Sequence, residues 1–316
     1  MIRLHTYAKG QVQSVDAPGK LAPPAGGARL WVEVTEPGPE ELRMLVEGLG
    51  LHELSLADAL QPEHPPKIED FDDYLFFIAH TPSLDESRST RKITVFLGRD
   101  WIVTLLRRPL PLLDEVLAAV KREPARYLED PDFLAHRIVY VLNEGFEESA
   151  DGYLDQVEGL EDEAAINPSP RLMTAILEVS REVGHFTRVV RSQREVCQAL
   201  THSNCPVLSK KVRPYLRDAY DQILHVYDLL EGLRDGLSSA RVTHLSAVNN
   251  RLGDVMRTLT GIATVIMPLT LITGVFGMNF ARIPGADTPA GFWIIVGAIL
   301  GLGGSLWLWF RRRHWL

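Results

Sequence analysis

Residues 258–281 read TLTGIATVIMPLTLITGVFGMNFA, and from Thr258 to Ala281 there is no Asp, Glu, Lys or Arg. A second uncharged run, Thr288 to Phe310, follows a short link that carries only Arg282 and Asp287. About 20 apolar residues of helix cross a hydrocarbon core, and each run is long enough. The sequence therefore predicts a protein with two membrane spans at its end and its polar mass in front.

The flanking charges predict an orientation. Arg257 precedes the first run and Arg311-Arg312-Arg313 closes the second, so the positive-inside rule places both termini in the cytoplasm and the turn from Phe280 to Gly291 outside. Phe292 and Trp293 sit at one end of the second run and Trp307, Trp309, Phe310 and Trp315 at the other, as interfacial anchors do. Met1 to Lys20 has no apolar core region, so no signal peptide is expected. The expected location is the cell (inner) membrane.

Bulk properties exclude several function classes. The 316 residues carry a net charge of -8, which disfavours nucleic-acid binding. Cys197 and Cys205 form no CxxC pair, and the ten histidines show no HExxH, so neither a disulfide framework, a structural zinc site nor an enzyme is expected. Nine carboxylates from Glu144 to Glu163 fall in a stretch between Arg137 and Arg171 that lacks any basic residue. Such a block concentrates cations or is the solvated face of a helix, and charge alone does not choose.

The first 110 residues have α/β character. Leu30–Val34, Tyr74–His80, Ile93–Leu97 and Trp101–Leu106 are rich in β-branched and aromatic residues between turn signals. Glu40–Glu47 and Leu54–Leu60 have helical periodicity. Residues 111–210 are helical, with Asp132–Ile166 and Arg171–Ala199 predicted as an antiparallel pair about Asn167-Pro168-Ser169-Pro170.

A third long helix starts near Lys211 to Pro214, and no proline interrupts it before Pro268. If continuous from Leu216 to Met278, it is about 95 Å long at the helical rise per residue. It cannot stand alone in water. Leu216, Tyr220, Ile223, Tyr227 and Leu230 have heptad spacing, as do Leu245, Val248, Leu252, Val255, Leu259, Ile262 and Ile266, with a one-residue slip between the two sets. The pattern predicts a stalk, residues 211–256, that packs on copies of itself and enters the membrane as a first span, 257–279.

Two spans per chain cannot enclose a water-filled path, so a conducting assembly needs several subunits. Met256, Leu259, Ala263, Met267, Thr270, Gly274 and Gly277 recur at threes and fours along the first span. They suit a pore lining and equally a close helix-packing face.

Gly277-Met278-Asn279, closing a charge-free span and followed by Phe280, a short loop, a second span at 292–310 and a basic end at 311–316, resembles the CorA family of divalent cation channels. The likeness extends to Met267-Pro268-Leu269-Thr270, to Val255 through Thr260, to Arg217-Asp218-Ala219-Tyr220-Asp221 and to Pro65 through Tyr74. The resemblance implies an α+β cytoplasmic domain, a long helical stalk and two transmembrane helices per subunit, assembled as a funnel-shaped homopentamer in the lipid bilayer. It implies that Gly277, Met278 and Asn279 form the selectivity filter and that Thr270 forms a polar ring. Met267, Leu259 and Met256 would then be hydrophobic constrictions, and Asp218 part of a cytoplasmic regulatory metal site with Asp85 of a neighbouring subunit as partner. A divalent cation, Mg2+ foremost with Co2+ and Ni2+, is then both cargo and regulatory ligand, and no other cofactor is implied.

Two departures concern the ion. The loop after Asn279, Ala281-Arg282-Ile283-Pro284-Gly285-Ala286, resembles the IPG loop of the ZntB zinc-transport branch, and Gly253 stands where many members have asparagine. Met278 points to Mg2+ and the loop to Zn2+. A proton-coupled Zn2+ transporter is therefore the alternative, and a non-conducting membrane sensor is the reading from another class.

Overall fold

The computed structural model describes residues 1–16, 21–62, 64–83, 90–203, 205–278 and 289–313. Asn279, Asp85, the link 280–288 and Trp315 lie outside the described residues. The chain divides into two units, Met1–Glu161 with Thr174–Ser239, and Asp162–Met173 with Ala240–Leu316.

The first unit contains a seven-stranded mixed sheet. Its strands are β1 Ile2–Ala8, β2 Gln11–Asp16, β3 Arg29–Thr35, β4 Lys67–Asp70, β5 Tyr74–Pro82, β6 Thr90–Gly98 and β7 Trp101–Leu106, in the order β2-β1-β3-β7-β6-β5-β4. Among the described strands only β3 and β7 pair in parallel, with Val32 opposite Val103. Strands β5 and β7 are buried at every position, which is why they read as unbroken apolar runs rather than as alternation. Helices α1 Pro39–Leu49 and α2 Glu53–Leu60 lay Leu45, Leu49, Leu56 and Ala59 in one core cluster with Val32, Phe76, Ile78 and Val103. Successive strand residues point to opposite faces, so Leu75 and Phe77, both buried, belong to the other side of the sheet.

Three strands were not anticipated. β1 and β2 join through a two-residue turn, Lys9-Gly10, with φ of 52° and 80°, a weaker hairpin signal than Asn-Gly. β2 is an exposed, polar edge strand. β4 is a polar edge of four residues against β5, and its charges hide its conformation.

Helices α3 Leu112–Arg122 and α4 Pro124–Leu128 lead into α5 Pro131–Ile166, α6 Pro170–His202 and α7 Arg213–Phe276. Within the first unit α5, α6 and α7 pack through a buried polar junction. The Asn143 amide donates to the Ala219 carbonyl at 2.9 Å, the Gln193 amide donates to Asn143 Oδ1 at 3.3 Å, and the His80 backbone N–H donates to Gln193 Oε1 at 3.1 Å. One connected set of hydrogen bonds thereby ties the sheet to all three helices.

The buried seam of α7 is Leu216, Ala219, Ile223, Val226, Leu230, Leu233, Leu237 and Ala240. It keeps the expected heptad steps but uses Ala219 and Val226 in place of Tyr220 and Tyr227, which are half-buried. Tyr227 instead lies beneath the guanidinium of Arg194, 4.5 Å from the ring centroid.

The second unit combines the α5–α6 turn, the later part of α7 and α8 Pro289–Arg312. His244 of α7 is 5% exposed and its Nε2 lies 2.9 Å from the Ser169 carbonyl of the turn. The Ser169 hydroxyl accepts the Leu172 N–H and caps α6. Beyond His244 the apolar stripe Leu245, Val248, Leu252, Val255 and Leu259 is exposed.

Candidate ion pathway

α7 and α8 are both long and apolar enough to cross a membrane, and only 6% of the most apolar window of each is buried. A soluble core helix would be covered. Here Met267, Leu271, Trp293, Ile294 and Leu300 are each about 70% exposed. A continuous apolar surface of this extent needs lipid or further subunits around it.

Within the second unit the less exposed positions of the α7 span are Gly261, Val265, Pro268, Leu269 and Ile272. On α8 they include Gly291, Ile295, Ile299, Gly303, Leu306 and Phe310. The two faces meet where a Cβ added at Gly303 would lie 3.2 Å from Leu269 Cδ1, the close approach that a small residue permits.

The stripe singled out in the sequence takes the other side. At about 100° per residue, Met256, Leu259, Ala263, Met267, Thr270, Gly274 and Gly277 fall opposite the face that α8 covers, and all seven are exposed. Ala263, Met267, Thr270, Gly274 and Met278 line one shallow groove there with Ile266, Leu271 and Val275. The Thr270 hydroxyl donates to the Ile266 carbonyl at 3.1 Å, which uses its proton and leaves its oxygen free to accept from a passing ligand. α7 ends at Phe276, and the Gly277 N–H still bonds the Thr273 carbonyl at 2.9 Å. A Cβ at Gly277 would approach that same carbonyl to 3.1 Å, so the tight last turn before Met278 favours glycine.

Asp218 is exposed on α7, far along the chain from this stripe. It borders a hollow with Arg126 and Tyr127 of α4, Phe133, His136, Arg137 and Tyr140 of α5, and Tyr215. Burial pushes the His136 imidazole down to about 4, against the pull of the Asp218 carboxylate, with Arg137 and Arg126 depressing it further. His136 Nε2 is buried and, among the described residues, makes no hydrogen bond. The described residues include no group of three or more His, Cys, Asp or Glu side chains poised to hold a metal. Of the residues that border this hollow, Asp218 supplies the one carboxylate and Arg126 and Arg137 two guanidiniums. This cationic surround was not legible in the sequence, because α4, α5 and α7 bring it together without a local motif.

Two tandem helices with unburied apolar surfaces, the first of them the later part of the 64-residue α7, are candidate membrane spans. The chain belongs to the CorA family, described as CorA-like Mg2+ transporter protein, whose model matches residues 27–312. The cobalt/magnesium transport protein CorA of Thermotoga maritima is 26% identical over 296 residues, 90% of this chain and 83% of that protein. The zinc transport protein ZntB of Pectobacterium atrosepticum is 26% identical over 230 residues, 71% of this chain and 68% of its own. The complete structure of the CorA magnesium transporter from Methanocaldococcus jannaschii shares the fold, with a TM-score of 0.85 at 22% identity, covering 100% of this chain and 99% of that one.

Proposed function

We propose that this protein conducts divalent metal cations across the cell membrane, Mg2+ foremost and Co2+ and Ni2+ besides, as a homopentamer gated by cytosolic metal. The observation that carries the proposal is the stripe from Met256 to Gly277, exposed on the side of α7 opposite α8. Five copies turned so that these stripes face one axis would bury them together and leave α8 outside against lipid. The exposed run Leu245 to Leu259 supplies apolar surface for the same association in the stalk, 211–256.

In this arrangement Gly277, Met278 and Asn279 form the filter at the end of the pore helix, 257–279. Magnesium gives up its water reluctantly. Five amide oxygens from Asn279 accept hydrogen bonds from the hydrated ion without stripping it, and Thr270 offers a second ring of hydroxyl oxygens. Met267, Leu259 and Met256 close the path by dewetting. With both termini cytoplasmic and residues 280–291 outside, an inward-negative potential drives entry. Each charge gains about 2.3 kcal/mol per 100 mV, so a divalent ion gains about twice that. Asp218, with Asp85 from a neighbour, would bind cytosolic metal and hold the symmetric closed state.

The loop Ala281 to Ala286 and the ZntB relative favour a second reading, proton-coupled Zn2+ transport. It requires a titratable group on the path, yet 258–281 and 288–310 contain no Asp, Glu, His, Lys or Arg apart from the flanks. Uptake of Mg2+ and Zn2+ into proteoliposomes, with potential and pH gradient imposed separately, distinguishes the two. Potential-driven Mg2+ uptake that Asn279→Ala alters is expected. Zn2+ uptake that needs a proton gradient would replace the channel with the transporter.

A further inference from the structure

The end of α8 carries three consecutive arginines, and among the described residues none of them makes an ion pair with a carboxylate. Two of them are held against indoles. The Arg311 guanidinium lies 5.2 Å from the Trp307 ring centroid and the Arg313 guanidinium 4.8 Å from that of Trp309. Both are one-turn stacks, and both indoles are about half exposed.

Their placement on the helix is specific. Phe310, 4% exposed, marks the covered side of α8. At about 100° per residue, the Trp307–Arg311 and Trp309–Arg313 pairs fall on the two flanks of that side, and Arg312 falls almost opposite it. The guanidiniums thus fan around the whole uncovered circumference at one level. That level follows from the contact between Leu269 and Gly303. The two consecutive spans cross in opposite directions, so seven residues further towards this end Phe310 is level with Ile262, and the arginines with the turn just beyond. Arg257 of α7 is paired with Asp254 at 3.5 Å, and among the described residues no carboxylate forms an ion pair with the arginines at the α8 end.

We infer that this end of α8 is a binding site for anionic phospholipid headgroups. The phosphodiester accepts from guanidinium N–H groups, which present a rigid fork matched to phosphate, while the indole beneath each guanidinium sits at the glycerol level. Stacking on the indole orients each fork before lipid arrives, which reduces the ordering cost of binding. The inference rests on α8 lying in a bilayer and is independent of the ion carried.

The test uses the purified full-length protein in mild detergent with equal amounts of phosphatidylglycerol and phosphatidylcholine of the same acyl chains, and counts retained lipids by native mass spectrometry. A basic residue near an anionic surface is worth on the order of five-fold in preference. Wild type is therefore expected to retain phosphatidylglycerol over phosphatidylcholine by ten-fold or more, and Arg311→Gln/Arg313→Gln to lose most of that ratio. Arg181→Gln, an exposed arginine on α6, is expected to leave it unchanged. If the glutamine variant does not fold, Arg311→Lys/Arg313→Lys keeps the charge but not the stacked fork, and its ratio is expected to fall several-fold. Equal retention of the two lipids by wild type overturns the inference, as does an unchanged ratio in the lysine variant. Competition by inorganic phosphate would also overturn it, because the ligand would then be a free anion rather than a lipid.

Discussion

His80 illustrates how a single buried side chain sets a pH limit on the fold. It is 6% exposed, with Nδ1 2.8 Å from the Thr90 hydroxyl and Nε2 2.9 Å from the His64 carbonyl. Burial lowers its pKa from 6.5 to about 4. The unfolded chain therefore binds the extra proton between these values, and stability is complete above pH 6.5 and lost as pH falls toward 4. The loss approaches about 3 kcal/mol, and His136 acts in the same window. Denaturation of His80→Gln is expected to show a shallower fall in stability between pH 6.5 and 4 than wild type. Just past the end of α7, Gly277→Ala must push the Thr273 carbonyl aside by a few tenths of an ångström. It is expected to lower ion flux while leaving expression intact, as liposome uptake would measure.

At the scale of elements, α7 carries two stripes of similar composition and opposite fate. From Leu216 to Ala240 the stripe is buried under α5 and α6, while from Leu245 to Leu259 it is exposed. Periodicity announced both but not which was occupied, because occupation depends on where the α5–α6 hairpin ends. That end is the Ser169 carbonyl beside His244. The α7–α8 contact is a similar case. Nothing in the Gly-rich sequence of α8 separates Gly303, which meets Leu269, from Gly301, where an added Cβ meets nothing within 4 Å. Gly303→Leu is expected to destabilise the hairpin by about 1–3 kcal/mol through overpacking, and Gly301→Leu to be near neutral. Thermal unfolding in detergent would compare them.

For the whole molecule, the proposed regulatory role of Asp218 calls for a second subunit. Its neighbours within the chain include Arg126 and Arg137, which repel a cation. In the proposed site further carboxylates would come from a neighbouring subunit, so metal binding would respond to assembly. Asp218→Ala is expected to raise the internal Mg2+ concentration needed for half-inhibition by ten-fold or more, equivalent to about 1.4 kcal/mol. Flux recorded against internal Mg2+ would check it, and unchanged inhibition would remove Asp218 from the regulatory site.

The sequence by itself determined the parts governed by local composition and period. These are the two uncharged spans, the helix that runs unbroken into the first of them, the buried strands β3, β5, β6 and β7, and the face on which Met256 to Gly277 recur. Each depends on residues within a few turns or one strand of one another. Only the tertiary structure decided what depends on distant partners. It set β1 between β2 and β3 and put the polar strands β2 and β4 at the two edges of the sheet, moved the α7 seam onto Ala219 and Val226, gathered cationic groups around Asp218, and put α8 against the side of α7 away from the stripe Met256 to Gly277. Apart from the β1–β2 hairpin, those outcomes follow from packing between segments that local composition does not relate.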